Sequence, residues 1–286
     1  MQSNGPFKLL AFNSVMINNS APAGSGAVLN VATFDRFDGT ISGCVMNSNS
    51  VNQKGGAVFV SAQFSPDDPS FVARGPIASL ASAVTNNFKV QNSTFQGNVA
   101  NGLDGGALSI RFDSGQTTIN LCTFDSNSAL GDGGAIWFLG NGEVYLGVTQ
   151  SAFTANAAGD SGGAVSVTGS TVETSFNAVL FDGNSGVTGG ALSMDTRESR
   201  IVRCNFTNNL GSSGGALYVV ARQGQSKCIV GTSRFQFNSG RRGGAISVSG
   251  MTLELKSVDC SFNTARDRGG CVSISLGAQV NIQQCS

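Results

Sequence analysis

The feature that most limits what this chain can fold into is a dipeptide at a nearly fixed interval. Gly-Gly pairs begin at positions 55, 105, 133, 162, 189, 214, 243 and 269, and a weaker Ser25-Gly26-Ala27-Val28 precedes them. The last six steps are 28, 29, 27, 25, 29 and 26 residues, a period of about 27. Each pair has an upstream partner, usually Phe, followed three residues later by Asn: Met46/Asn49, Phe95/Asn98, Phe124/Asn127, Phe153/Asn156, Phe181/Asn184, Phe206/Asn209, Phe235/Asn238 and Cys260/Asn263, with Val15/Asn18 in the first copy. Nine copies at this spacing predict one array over residues 1–286 rather than two globular domains.

The residues after each Gly-Gly-Ala alternate between apolar and polar, as in Val165-Ser-Val167, Leu192-Ser-Met194 and Ile246-Ser-Val248. Period two marks a half-buried strand. A second alternating run follows, as in Thr252-Leu253-Glu-Leu255, and the Cys/Ser-x-Phe segment makes a third. No copy holds a helix-length apolar stripe. Three short strands and their turns in about 27 residues form one coil of a single-stranded, right-handed parallel β-helix, here with nine to ten coils. Stacking at about 4.8 Å per coil gives a rod on the order of 40 Å long. The Phe positions then form an inward ladder. The Asn residues sit in the turn, where a left-handed backbone and amide stacking are expected, and Gly-Gly allows a sharp bend. One step, from 55 to 105, is 50 residues long. Its excess maps to 62–83, read as an inserted loop, with a degenerate coil as the alternative.

Composition excludes several function classes. Seventeen basic and 17 acidic residues give a formal net charge of zero, so nothing electrostatic favours nucleic acid or an anionic membrane. Histidine is absent, which removes the usual general base and transition-metal ligand. No apolar run is long enough for a transmembrane helix, and Met1–Leu10 does not read as a signal peptide. The repeat runs into the last residues, Cys285 and Ser286, so a piece of a longer chain with further domains is expected. The seven cysteines form no Cys-x-x-Cys pair. Cys44, Cys122 and Cys204 share one slot and are expected as small inward fillers. Cys260 and Cys285 are read as adjacent occupants of the Phe slot, where a bridge is open, and Cys271 as packing.

Candidate sites lie where the copies differ. Asp104 and Asp132 immediately precede Gly-Gly in consecutive coils, and Asp160 lies one residue earlier in the next. Stacked carboxylates invite a cation such as Ca2+ or a sugar, but Asp-Gly is also ordinary turn chemistry, which is the preferred reading. Arg241, Arg242, Arg266 and Arg268, with Asp267 between, form a basic cluster suited to an acidic polymer or simply to a solvated turn. Outward positions of the strand after Gly-Gly-Ala carry Phe59, Trp137 and Tyr218, aromatic surfaces for a sugar ring, separated by serines. Sequons at Asn18, Asn92 and Asn205 occur, with Asn18 assigned to the ladder. No grouped acid and base stands on a strand face, so no catalytic residue and no cofactor are assigned.

Phe-x-x-Asn followed by Gly-Gly-Ala-Ile/Leu/Val, repeated in one chain, resembles the chlamydial polymorphic outer-membrane protein repeat. The resemblance covers Phe12–Ser286 and is best at Phe124, Asn127, Gly133, Gly134, Ala135 and Ile136. Related repeats occur in some eukaryotic surface proteins. The resemblance implies a secreted or outer-membrane, cell-surface rod acting as an adhesin toward a host protein or glycan; the bacterial members carry a C-terminal membrane β-barrel, and none is present here. Parallel β-helices also host pectin-lyase-like enzymes, so the alternative is a polysaccharide-active enzyme with its catalytic residues in 62–83 or outside this chain.

Overall fold

The computed structural model describes residues 7–33, 36–62, 85–221 and 226–286. Every named element there is a strand, and every strand pairing is parallel. The coil around Ile136 shows the pattern. Ile136–Gly140 and Val144–Thr149 belong to a 17-stranded sheet, Ala152–Thr154 to a nine-stranded sheet and Ala157–Ala158 to a second nine-stranded sheet. Each strand pairs with its counterpart one repeat away, so the chain is a parallel β-solenoid of about nine turns. In two coils the first two segments fuse, as Val165–Asn177 and Leu192–Val202. The fourth segment lies where the sequence suggests only a turn. At two residues in this coil, and four or five in the last coils, it is too short to carry a clear period-two signal.

The Phe column is interior and face to face. Phe95, Phe124, Phe153, Phe181, Phe206 and Phe235 are fully buried, with successive centroids 4.5–5.1 Å apart and planes within 13°. The spacing of the rings is the spacing of the strands, so the backbone imposes the stack. Each buried Phe removes a large apolar area from water, and offset contact between rings adds to it.

A column of buried asparagines runs beside the rings. The Asn127 side chain donates to Asn156 Oδ1 at 3.0 Å and to the Phe95 carbonyl at 2.9 Å, and its backbone N–H also reaches Asn156 Oδ1 at 3.0 Å. Its own Oδ1 accepts the same two bonds from Asn98. The chain of amides continues from Asn19 through Asn49 to Asn263. The left-handed residue is not the Asn but the one before it, such as Ser126 (φ 54) or Asn208 (φ 56). The Asn is therefore held for its amide, and its neighbour bends the chain. In the first copy this corrects the expected Val15/Asn18 pair to Met16/Asn19. Met16 pairs with Met46, Val15 is exposed, and Asn18 is the left-handed, exposed residue. A one-residue slip exchanges the two faces of a strand.

The two glycines of each pair answer different needs. Gly133 has φ 65, and its counterparts are also left-handed. A Cβ on Gly134 would overlap the Gly163 carbonyl of the next coil. The first glycine is needed for its dihedral and the second for the approach of neighbouring backbones.

The expected loop at 62–83 lies outside the described residues, apart from Ala62. The flanking strands pair directly with adjacent rungs, Val58 with Leu108 and Asp38 with Asn87.

The cysteines divide as expected in part. Cys44, Cys122 and Cys204 are buried and free, and so is Cys228. Burial pushes the thiols of Cys122 and Cys204 up to about 11 and that of Cys228 up to about 12, which keeps them protonated and unreactive. A serine in the next coil accepts the backbone N–H of each slot cysteine, Ser93 for Cys44, Ser151 for Cys122 and Ser233 for Cys204. The bridge left open between Cys260 and Cys285 is not formed, and Cys260 is bonded instead to Cys271, with Cα atoms 6.0 Å apart. Lys256 pairs with Gln283, so Cys285 falls opposite Val258, two residues short of the Phe slot, and it is free. Cys260 occupies the Phe slot and Cys271 the inward Ala slot of one coil, so the bridge fills the space that ring and methyl fill elsewhere.

Three outcomes follow. Phe153→Ala, which removes a ring stacked on both sides, should cost about 3–5 kcal/mol in chemical denaturation. Asn127→Ala takes away the acceptor of the Asn98 backbone N–H and of one Asn98 amide hydrogen, and one donor to the Phe95 carbonyl, a loss of about 2 kcal/mol. Thiol titration of the unreduced, denatured chain should count five thiols. Cys285→Ser should lower that count to four, and Cys271→Ser should raise it to six by freeing Cys260.

Candidate functional site

The residue ahead of each Gly-Gly pair forms one column along the rod, from Ser25 through Lys54, Asp104, Asp132, Ser161, Thr188, Ser213 and Arg242 to Arg268. Backbone pairing sets its later members in register, Thr188 with Ser213, Ser213 with Arg242 and Arg242 with Arg268. The outward positions of the following strand form a second column: Asn30, Phe59, Ser109, Trp137, Ser166, Ser193, Tyr218, Ser247 and Ser273. The left-handed glycine folds the turn back over the strand, so the two columns face each other. They are the wall and floor of a furrow along the rod. Its floor is sheltered: Ser109, Ser166, Ser193, Ser247 and Ser273 are buried although they point away from the core.

At one end the furrow is closed by its own side chains. Lys54 Nζ lies 2.9 Å from Asp104 Oδ2 and 3.7 Å from the centroid of a Trp137 ring. Trp137 is therefore only 8% exposed, which corrects its reading as an open aromatic face. Such a contact combines ion pairing with attraction of the cation to the ring. Lys54 carries the same signal as the aspartates, a residue directly before Gly-Gly, and sequence reasoning passed over it because it looked only for carboxylates there.

The aspartates act as rung-to-rung caps. Asp104 Oδ1 accepts the backbone N–H of Asp132 at 3.0 Å, and Asp132 Oδ1 accepts that of Ser161 at 2.9 Å. Asp160 stands one residue off the column, is exposed, and offers its carbonyl to Val187 and Thr188. Burial first, then the charges of Asp104 and Asp160, push the Asp132 carboxyl above its ordinary range, against the pull of its hydrogen bonds to Ser161. Ca2+ takes six to eight oxygens. Here it would have to displace Lys54 and the capped amides, and among the described residues no group of three acidic or cysteine side chains is placed to hold a metal.

The basic cluster is split by strand alternation. Arg241 and Arg266 face the outer side of the second nine-stranded sheet, in a hollow of about 520 Å³ floored by Gly186, Gly211 and Gly240, and Arg241 is bonded to Asp267 at 2.6 Å. That bond, followed by the charges of neighbouring arginines, holds the Asp267 carboxyl below its ordinary range. Arg242 and Arg268 instead enter the furrow, beside Tyr218, Ser247 and Ser273, around a hollow of about 370 Å³. A hollow of about 730 Å³ lies elsewhere, among Arg36, Asn86, Asp113, Glu143 and Tyr145. No sequence signal marks it, because its residues come from strand starts and turns that have no repeat signature.

The three sequon asparagines, Asn18, Asn92 and Asn205, are all exposed.

This architecture defines a class: a parallel β-solenoid built from one repeated coil, with its sequence variation on the turns and furrow. Residues 121–139, the coil carrying Phe124, Asn127 and Gly133–Ile136, match the Chlamydia polymorphic membrane protein (Chlamydia_PMP) repeat. Comparison with curated proteins finds no match, and comparison with solved structures finds none.

Asp132→Asn keeps the oxygen that caps Ser161 and removes the repelled charge. The raised carboxyl lowers stability above its folded-state titration, and the deficit disappears as pH falls through that point. The variant should therefore be more stable than the parent at pH 7, by under about 1 kcal/mol after solvent screening, and equal to it near pH 3. Thermal melts at the two pH values check this.

Proposed function

We propose that this chain is a non-enzymatic, surface-exposed adhesive rod whose turns and furrow meet a cell-surface protein or glycan. One observation carries the reading. The interior is the same from coil to coil, while the furrow wall changes from Lys54 through Asp104 and Asp132 to Arg242 and Arg268. A stiff, invariant core with a varied outer edge displays side chains at fixed spacing, and binding residues concentrate on such edges. The matched repeat supports the surface assignment, since the family it is named for is a membrane-protein family. Placement at an outer membrane or outside the cell, as part of a longer protein, belongs to the same proposal.

A second reading rests on Asp132, a carboxyl with a raised pKa beside Asp104, the kind of pair that serves acid catalysis in polysaccharide-active β-helix enzymes. One set of assays separates them. The purified chain should bind cultured cells saturably and leave pectin and alginate intact. Depolymerisation that disappears in Asp132→Asn would overturn the adhesive reading in favour of the enzyme. Absence of both binding and turnover would also overturn it and leave a scaffold.

A further inference from the structure

We infer that the Arg242/Arg268 end of the furrow is a binding site for an anionic polysaccharide, a sugar polymer bearing sulfate or carboxylate groups. The inference rests on the adhesive reading and names the ligand chemistry of the same furrow. Arg242 and Arg268 are register partners in adjacent coils, so their chains leave the backbone about 4.8 Å apart. Like charges at that spacing repel, and an anion between them would relieve the repulsion. Among the described residues neither makes an ion pair: Asp267, the carboxylate nearest in sequence, is bonded to Arg241 on the other side of the turn. The last coil has one residue more than its neighbour between the paired positions, and a bulge takes it up between Gly240 and Arg242. That bulge keeps Arg268, like Arg242, immediately ahead of Gly-Gly and inside the furrow. Bulges re-aim side chains in this way.

The surroundings favour a sugar polymer over a bare anion. Tyr218, Ser247 and Ser273 stand in line along the floor on successive rungs, and Ser213 stands beside Arg242 on the wall. All line the one hollow. A half-exposed tyrosine offers a face to a pyranose ring, and hydroxyls at regular intervals match a polyhydroxylated chain in both donor and acceptor capacity. Two guanidiniums supply the forked donors that sulfate and carboxylate oxygens accept. At the other end of the furrow Lys54 already neutralises Asp104 and covers Trp137. This cationic stretch of the furrow, with no ion pair among the described residues, is therefore where a polyanion would lie.

Strand alternation supplies a control with the same change in charge. Immobilised-ligand binding would be measured with dextran, dextran sulfate, polygalacturonate and inorganic polyphosphate. The parent chain should bind dextran sulfate, polygalacturonate or both, with affinity falling as salt rises, and should not bind dextran. Arg242→Ala/Arg268→Ala, or the Gln pair if the Ala pair melts early, should weaken that binding about tenfold or more. Arg241→Ala/Arg266→Ala, equal in charge but on the opposite face, should stay within about threefold. Tyr218→Ala should weaken polysaccharide binding while leaving any polyphosphate binding unchanged. Equal losses in the two arginine pairs, failure of both anionic polysaccharides, or polyphosphate binding as tight as theirs would each overturn the inference. Cell binding that survives in the Arg242/Arg268 variant while the parent binds no polyanion would sink this inference alone and leave the adhesive reading standing.

Discussion

The constraint on which the rest of this structure depends is the strand spacing along the rod. The strands of one coil bond to those of the coils above and below, so each strand side chain sits about one strand spacing from its equivalents. An inward position must then hold a residue that is compatible with a copy of itself. Phenylalanine satisfies this by stacking, as Phe124 does between Phe95 and Phe153. Asparagine satisfies it because an amide carries donor and acceptor together, so Asn127 can give to Asn156 and receive from Asn98. A carboxylate cannot, since it has only acceptors when charged. That is why the interior column is Asn and why Asp104 and Asp132 appear on the outer edge.

The same rule explains where the chain departs from its repeat. Asp132 pays for its position beside Asp104 and Asp160 with a raised carboxyl. Lys54 relieves Asp104 on the other side. Among the described residues Arg242 and Arg268 have no such ion pair, and their charge sets that part of the furrow apart. Identity from coil to coil is a packing requirement. Difference from coil to coil is where the chain can interact with something else.

Much of the fold was legible because each structural requirement recurs. Phe153, Asn156 and Gly162-Gly163 mean little singly, but each is one of a series with the same period. Legibility failed where the signal was single or short. The two-residue fourth strand, such as Ala157–Ala158, is below the length at which alternation can be seen. The slip at Val15/Asn18 arose because the first copy has two adjacent asparagines, and only pairing of Met16 with Met46 decides between them. The Cys260–Cys271 bridge had a trace in the sequence, since Phe and Ala are replaced by Cys together in one coil. Recognising it requires knowing that those two columns meet across the interior.

The sequence by itself determined the coil: its length, its inward residues, its glycine turn and its stacking into a parallel β-helix. These follow from local periodicity, which needs no knowledge of what lies across the rod. The tertiary structure alone decided which residues share a surface. It placed Arg242 and Arg268 in the furrow and Arg241 and Arg266 on the opposite face, and it laid Lys54 over Trp137. It also brought Tyr218 beside arginines from other coils. Neighbours along the chain point to opposite faces, while residues 25 to 30 positions apart stand one strand spacing from each other. Linear order therefore carries the fold, and only the winding of the chain assembles the site.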